Sequence, residues 1–242
     1  MGGRELMCGE RRERGGLGDD LLAQGLARFL PQATYEVSPE GYGRLVHPVG
    51  SSLAAGQAAQ SLPGALLFVD IESLGFIGRP LFLIGALRLP GPAEQTGNEE
   101  AAVLVQYLAR DYSEEEAVLR AFLSEGAACP LWVTFNGQTF DLPFLALRAS
   151  YHRLGPPRPG RHIDLLPLAR RRWGARLPDC RLQTLETHIC GRRRWGDIPG
   201  ARIPDAYHAF VRTGEPDEII QILRHNVEDL ISLGFLWQHL EC

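Results

Sequence analysis

Lysine is absent from this 242-residue chain, and all 25 basic residues are arginine. So complete a bias reflects genomic base composition rather than function, and it excludes nothing by itself. Cysteine is sparse and badly spaced for cross-links. The five cysteines (Cys8, Cys129, Cys180, Cys190 and Cys242) form no C-x-x-C pair, and their number is odd. That argues against a disulfide framework and for reduced, buried thiols. Cys180, Cys190 and His188 lack a fourth zinc ligand at the usual spacing. Long apolar runs are also missing: 80–87 is too short to span a bilayer, and 66–77 is broken by two carboxylates. The first residues lack the apolar core of a secretory signal, and Gly2 is not followed by the hydroxyl residue that myristoylation needs. The expectation is a cytoplasmic protein with no membrane segment.

What remains is an ordinary globular composition, with 45% apolar and 22% charged residues, in a length that suits one large domain or a domain with an extension. The net charge of −4 conceals a local reversal. Between Arg153 and Arg202 there are twelve arginines against Asp164, Asp179, Glu186 and Asp197. A basic surface on an acidic protein suits a polyanionic partner, although a solvated helix face would look the same.

Residues 1–64, rich in Gly, Ala, Gln and Pro, read as a loosely packed N-terminal extension, with a short helix over 20–30 and an extended stretch over 35–49. Residues 65–242 are better patterned. The apolar run 65–72 reads as a central strand buried on both faces. Strands follow at 81–89, 103–108, 131–135 and 162–166. Ser113 and Glu116 form a capping box that opens a helix to about 125. Further helices are expected over 140–154 and 216–240. The fold class is therefore α/β, a mixed five-stranded sheet flanked by helices.

Three acidic signatures stand out: Asp70-Ile71-Glu72, then Asn136 to Asp141, then His225-Asn226-Val227-Glu228-Asp229. Asp70 and Glu72, at i and i+2 on one strand, point the same way about 7 Å apart. They could instead cap the following turn. Asp141 falls in the first turn of a helix, where the dipole alone would favour it. Asn136-Gly137 and Pro143 nevertheless fix a strand–turn–helix that aims it at the sheet end. His225 and Asp229 stack four residues apart on the last helix, as a simple ion pair would also do, while Glu228 points into solvent. Four carboxylates in one cleft would repel one another unless divalent cations neutralised them, and hard oxygen ligands suit Mg²⁺ or Mn²⁺.

These segments resemble the three exonuclease motifs of the DEDD 3′–5′ exonuclease superfamily, which has the ribonuclease H-like fold. A narrower likeness, to the YprB-type ribonuclease H-like family, runs from about Leu66 to Leu240. It is carried by Val133 to Gly137 leading into Phe140-Asp141-Leu142-Pro143, by His162 to Leu166, by Ala169 to Trp173 and by Cys180-Arg181-Leu182. It continues through Asp197-Ile198-Pro199-Gly200, Ile203-Pro204, Tyr207, Arg212-Thr213-Gly214 and His225-Asn226-x-x-Asp229. Two positions depart from the wider superfamily. His225 precedes Asp229 by four residues, the tyrosine subclass spacing, and Ser73-Leu74 stand where two threonines are common.

The resemblance implies a metal-dependent nuclease acting on single-stranded DNA or RNA. Two divalent cations, Mg²⁺ or Mn²⁺, would be held by Asp70, Glu72, Asp141 and Asp229, with His225 as general base. Ser73, Asn136, Arg170 and Arg192 are the expected substrate contacts. The two arginine triplets, 170–172 and 192–194, are candidates for holding phosphates. Trp132, Trp173 and Trp237 read as core, and Asp164 as structural. Two other readings compete: a nucleic-acid-binding module with weak or no catalysis, and a scaffold subunit of a nucleic-acid repair assembly that docks through residues 1–64.

Overall fold

The computed structural model describes residues 17–49, 53, 64–91 and 102–240. The helices are α1 (Leu17–Phe29), α2 (Glu115–Gly126), α3 (Asp141–Tyr151), α4 (Leu165–Trp173), α5 (Leu182–His188), α6 (Ile203–Thr213) and α7 (Asp217–Leu240). The strands are β1 (Thr34–Val37), β2 (Gly43–Pro48), β3 (Leu66–Ser73), β4 (Leu81–Leu89), β5 (Val103–Leu108), β6 (Leu131–Thr134) and β7 (Arg161–Asp164). They form a single sheet in the order β1-β2-β5-β4-β3-β6-β7. The β3–β6 and β6–β7 pairs are parallel and the rest antiparallel. Among the described residues no helix is long and apolar enough to cross a membrane.

The expected mixed sheet is present, but it has seven strands where five were expected. The additional pair comes from the stretch read as a loose extension. There β1 and β2 form a hairpin, and β2 pairs with β5 along its whole length. Helix α1 buries Leu22 and Leu26 in the core. The sequence hides this because β1 is an exposed edge strand with no apolar alternation to read. The expected capping box also gives way. Asp111 accepts from the Ser113 N–H and starts a single 3₁₀ turn, and α2 begins only at Glu115.

Strand β3 sorts its side chains by the period of two. Leu67, Val69 and Ile71 join the larger core against α1, α2, α3, α6 and the first half of α7. Leu66 and Phe68 join the second core, with Leu165 and Ala169 of α4, Leu185 of α5 and Trp237 of α7. Burying each such leucine or phenylalanine contributes about 1.5–3 kcal/mol. Asp70 and Glu72 continue the second row, where the apolar filling stops. Helix α7, roughly 36 Å long at 1.5 Å per residue, lies across this end of the sheet.

At this same end of the sheet, where Leu81 pairs with Ser73, Glu115 anchors the other layer. It is buried and accepts from the Leu81 N–H at 2.9 Å, from Arg148 Nε at 2.7 Å and from His152 Nε2 at 2.9 Å. Burial alone would raise its pKa, but these donors outweigh it and hold the carboxyl below its ordinary value.

Candidate functional site

Strand β6 pairs with β3 only through Phe68, so β3 runs on beyond its partner and its later edge is open. The chain leaves β6 through Asn136, at φ +64° in the left-handed region, and through Gly137, where a Cβ would overlap the Thr134 side chain. Asp164 fastens this turn. Its carboxylate accepts from the Asn136 N–H at 2.8 Å and the Gln138 N–H at 3.1 Å, while also capping α4 at the Leu166 N–H. The turn delivers Asp141, 4% exposed, to the open edge of β3, where it accepts from the Ile71 N–H.

Opposite Asp70 on β4 is Gly85, and opposite Gly85 on β5 is Gln106. The missing side chain leaves a hole over the sheet that the Asn226 amide of α7 fills; a Cβ on Gly85 would overlap the Asn226 oxygen. Asn226 bridges the row. It donates to Asp70 Oδ2 at 2.8 Å and accepts from Gln106 Nε2 at 2.7 Å. The Gln106 oxygen in turn faces His47 Nε2 of β2 at 2.9 Å.

His225 stands one residue away on α7. Its Nδ1 donates to Asp197 Oδ1 at 2.7 Å, which leaves Nε2 directed at the acids, 4.0 Å from Glu72 and 3.4 Å from Asp229. Asp229 is also paired with Arg194, whose buried guanidinium binds Glu186 and reaches Asp197 at 3.4 Å.

The site holds more negative charge than its partners offset. Burial, then Asp229, Glu72 and Asp141, push the Asp70 carboxyl well above its usual range against the Asn226 hydrogen bond. Burial, then Asp229, Asp141 and Asp197, do the same to Glu72. Asp141 rises to about 7, from burial first, with Asp164 and Asp229 adding to it and the backbone N–H groups opposing. Asp229 also rises, because burial exceeds the relief from Arg194 and His225. Four recessed carboxylates whose affinity for protons is raised in this way have the donor chemistry of a Mg²⁺ or Mn²⁺ site. Among the described residues no three His, Cys, Asp or Glu side chains are already arranged to hold one metal ion. Asn226 and Arg194 occupy oxygens of Asp70 and Asp229 that chelation would use.

The sequence profile of the RNase_H superfamily matches residues 67–241. The chain belongs to that superfamily, as a ribonuclease H-like protein of the YprB type. YprB of Bacillus subtilis (strain 168), itself described as uncharacterized, is 34% identical over 180 residues, covering 72% of this chain and 41% of YprB. The chain thus spans about two-fifths of that relative's length. A family B DNA polymerase from the hyperthermophilic archaeon Pyrobaculum calidifontis shares the fold, with a TM-score of 0.57 and 18% identity over 74% of this chain and 25% of the polymerase.

Within this ribonuclease H-like fold, Asp70, Glu72, Asp141, His225 and Asp229 come together at one sheet end. The expected substrate contacts do not all follow. The Ser73 hydroxyl is engaged with the Gly75 carbonyl at 3.0 Å. Asn136 shapes its turn, its side-chain oxygen accepting from Thr139 at 2.9 Å. Arg170 lies on α4, which starts beside the site at Asp164 and runs away from it, so that Arg172 reaches the Leu240 carbonyl at the far end of α7. Arg192 pairs with Glu228 at 2.5 Å and sits over the Phe235 ring. Arg194, grouped with the phosphate-holding candidates, is committed to three carboxylates instead. Sequence reasoning gave no role to Gly85, Gln106, His47 or Asp197. A glycine inside a strand of large apolar residues, with a lone amide in the next strand, was the available signal.

Proposed function

We propose that this protein is a divalent-metal-dependent nuclease that hydrolyses phosphodiester bonds, acting 3′–5′ on single-stranded DNA or RNA. The observation that carries the reading is the gathering of four recessed, under-compensated carboxylates beside a histidine whose Nε2 faces two of them. Asp70, Glu72 and Asp229 would hold one cation, and Asp70 with Asp141 a second. Such cations supply charge stabilisation of the attacking and leaving oxygens of an in-line displacement. Asn226 fixes the rotamer of Asp70 by donating to one oxygen. Asp197 keeps the His225 proton on Nδ1, so that Nε2 can accept a proton from the attacking water. Arg194 offsets part of the charge on Asp229.

End-labelled single- and double-stranded DNA and RNA, incubated with Mg²⁺ or Mn²⁺ and resolved over time on gels, test this directly. Stepwise shortening from the 3′ end, lost in Asp70→Asn, is the expected result. Equal cleavage by wild type and Asp70→Asn would sink the assignment. A second reading, a binding module with weak or no catalysis, is favoured by the pairing of Arg194 with Asp229. Under it, calorimetric titration with Mn²⁺ would show no uptake.

A further inference from the structure

Trp195 is out of place for a tryptophan. Its side chain is 82% exposed, whereas Trp132, Trp173 and Trp237 are all buried. Leaving an indole in water forfeits burial free energy, and tryptophan so placed is a common anchor for planar or apolar partners. It follows Arg194, the residue that pairs with Asp229, and precedes Gly196, whose φ of +69° turns the chain back towards Asp197. A hollow of about 230 Å³ opens beside it, lined by Arg193, Gln221 and Arg224 together with His225 and Asp197. A second of about 440 Å³ lies on its α5 side, lined by Gln183, Glu186 and Thr187. Arg193 and Arg224 are exposed and have no ion pair among the described residues. An exposed ring between two hollows, flanked by uncommitted guanidinium groups and continuous with the catalytic histidine, meets the two needs of an unpaired nucleotide. Its base needs a π-face, and its phosphate needs a cation.

We propose that Trp195 is a stacking platform for an unpaired nucleobase close to the bond being cut, with Arg193 and Arg224 holding the flanking phosphates. This deepens the nuclease reading, on which it rests, by naming the residues that would select a single strand over a duplex. In a duplex the bases are already stacked on one another, and only the terminal pair presents a free face.

The test uses the full chain carrying Asp70→Asn, so that substrate survives, and measures fluorescence anisotropy of labelled oligothymidylate, oligouridylate and a duplex. Adding Trp195→Ala should weaken single-strand binding by roughly 5- to 150-fold, the equivalent of about 1–3 kcal/mol per stacked base. Duplex binding should stay within twofold, and Trp195→Phe should recover most of the loss. Loss on either single strand supports the site, and the strand that shows it identifies the sugar. Quenching of the exposed indole's fluorescence on adding either oligonucleotide is an independent readout. Unchanged single-strand affinity in Trp195→Ala, equal loss on duplex, or no single-strand binding by the parent would each overturn the proposal. If cleavage depends on Asp70 while Trp195→Ala changes neither affinity nor KM, only the platform is lost. If no substrate is cut but the single-strand loss appears, the nuclease reading falls and the platform stands.

Discussion

Glu115 and the Asp70–Glu72 pair are both carboxylates withdrawn from water in one small protein, yet they are treated in opposite ways. Around Glu115 every oxygen has a donor, two of them cationic or able to become so, and the carboxyl is held below its ordinary range. Around Asp70 and Glu72 the neighbours are mostly other acids, and both carboxyls are driven well above it. Burying an ion costs several kcal/mol unless its partners repay it. The protein repays it at Glu115, which ties α2 to α3 and β4. At Asp70 and Glu72 the charge is left uncompensated, as the proposed cation site would require. Burial of acid therefore says little alone, and the company it keeps separates framework from chemistry.

Removing the unpaid charge should damage chemistry and spare the fold. Asp70→Asn is expected to lower the cleavage rate at least about a thousandfold, ~4 kcal/mol of transition-state stabilisation, with no fall in melting temperature. Gel kinetics and a thermal melt on one preparation check both halves. The converse change strands the paid charge. Arg148→Ala leaves Glu115 without its main partner and should cost about 3–5 kcal/mol of stability in urea unfolding. Residual activity per folded molecule should stay near wild type.

A smaller steric probe is Gly85→Ala, which pushes a methyl into the space of the Asn226 amide. Overpacking of this kind costs about 1–3 kcal/mol, and cleavage should drop further than stability does because Asp70 loses its donor. If activity per folded molecule were unchanged, Asn226 would not be positioning Asp70.

The gentlest probe is pH, and here the two regions differ in sign. Asp141 is raised in the folded state, so its contribution is fully present below the unfolded pKa of about 3.9 and is lost as pH rises towards about 7. Asp70 and Glu72 act in the same direction. Glu115 is lowered, so its contribution is present above the unfolded pKa and is lost as pH falls through the folded one. In chelator, Asp70→Asn should therefore flatten the decline in stability between about pH 4 and 7. Saturating Mn²⁺ should flatten it in wild type, since a ligand at a hundred times its Kd adds about 2.7 kcal/mol. Urea melts at stepped pH with and without Mn²⁺ measure this, and a slope indifferent to both changes would remove the acids as its source.

How legible all this was depends on how much of each signal lay in one stretch of chain. The run 65–72 announced β3 because a strand buried on both faces must be apolar throughout, and the two acids closing it were conspicuous for that reason. Helix α7 was readable from its periodicity, and so was the stacking of His225 with Asp229. The extended stretch expected over 35–49 covers most of β1 and all of β2, but their pairing into the sheet was not readable, because β1 is short and exposed. Nor was Asp197 readable as the partner of His225, since 28 residues separate them and only folding brings them to 2.7 Å. The basic triplet 192–194 shows the same limit. Its three neighbours go to a Glu228 ion pair, to solvent and to a buried acidic cluster, and nothing in three consecutive arginines distinguishes them.

The row from His47 to Asp70 has a direction. His47 Nε2–H gives to the Gln106 oxygen, the Gln106 nitrogen gives to the Asn226 oxygen, and the Asn226 nitrogen gives to Asp70. Each amide could sit either way round in isolation, and two backbone carbonyls fix them: the Gln106 nitrogen also gives to the Leu223 carbonyl at 2.9 Å, and the Asn226 nitrogen to the Asp70 carbonyl at 3.2 Å. Cutting the chain at residue 65 to obtain a minimal catalytic unit would thus discard more than an edge hairpin. Gln106 would lose the partner of its oxygen and its cover from β2, while its nitrogen stayed tied to Leu223 and Asn226. The shortened protein would keep every acid and the amide that faces Asp70, yet would carry the row on a newly bared edge strand, β5.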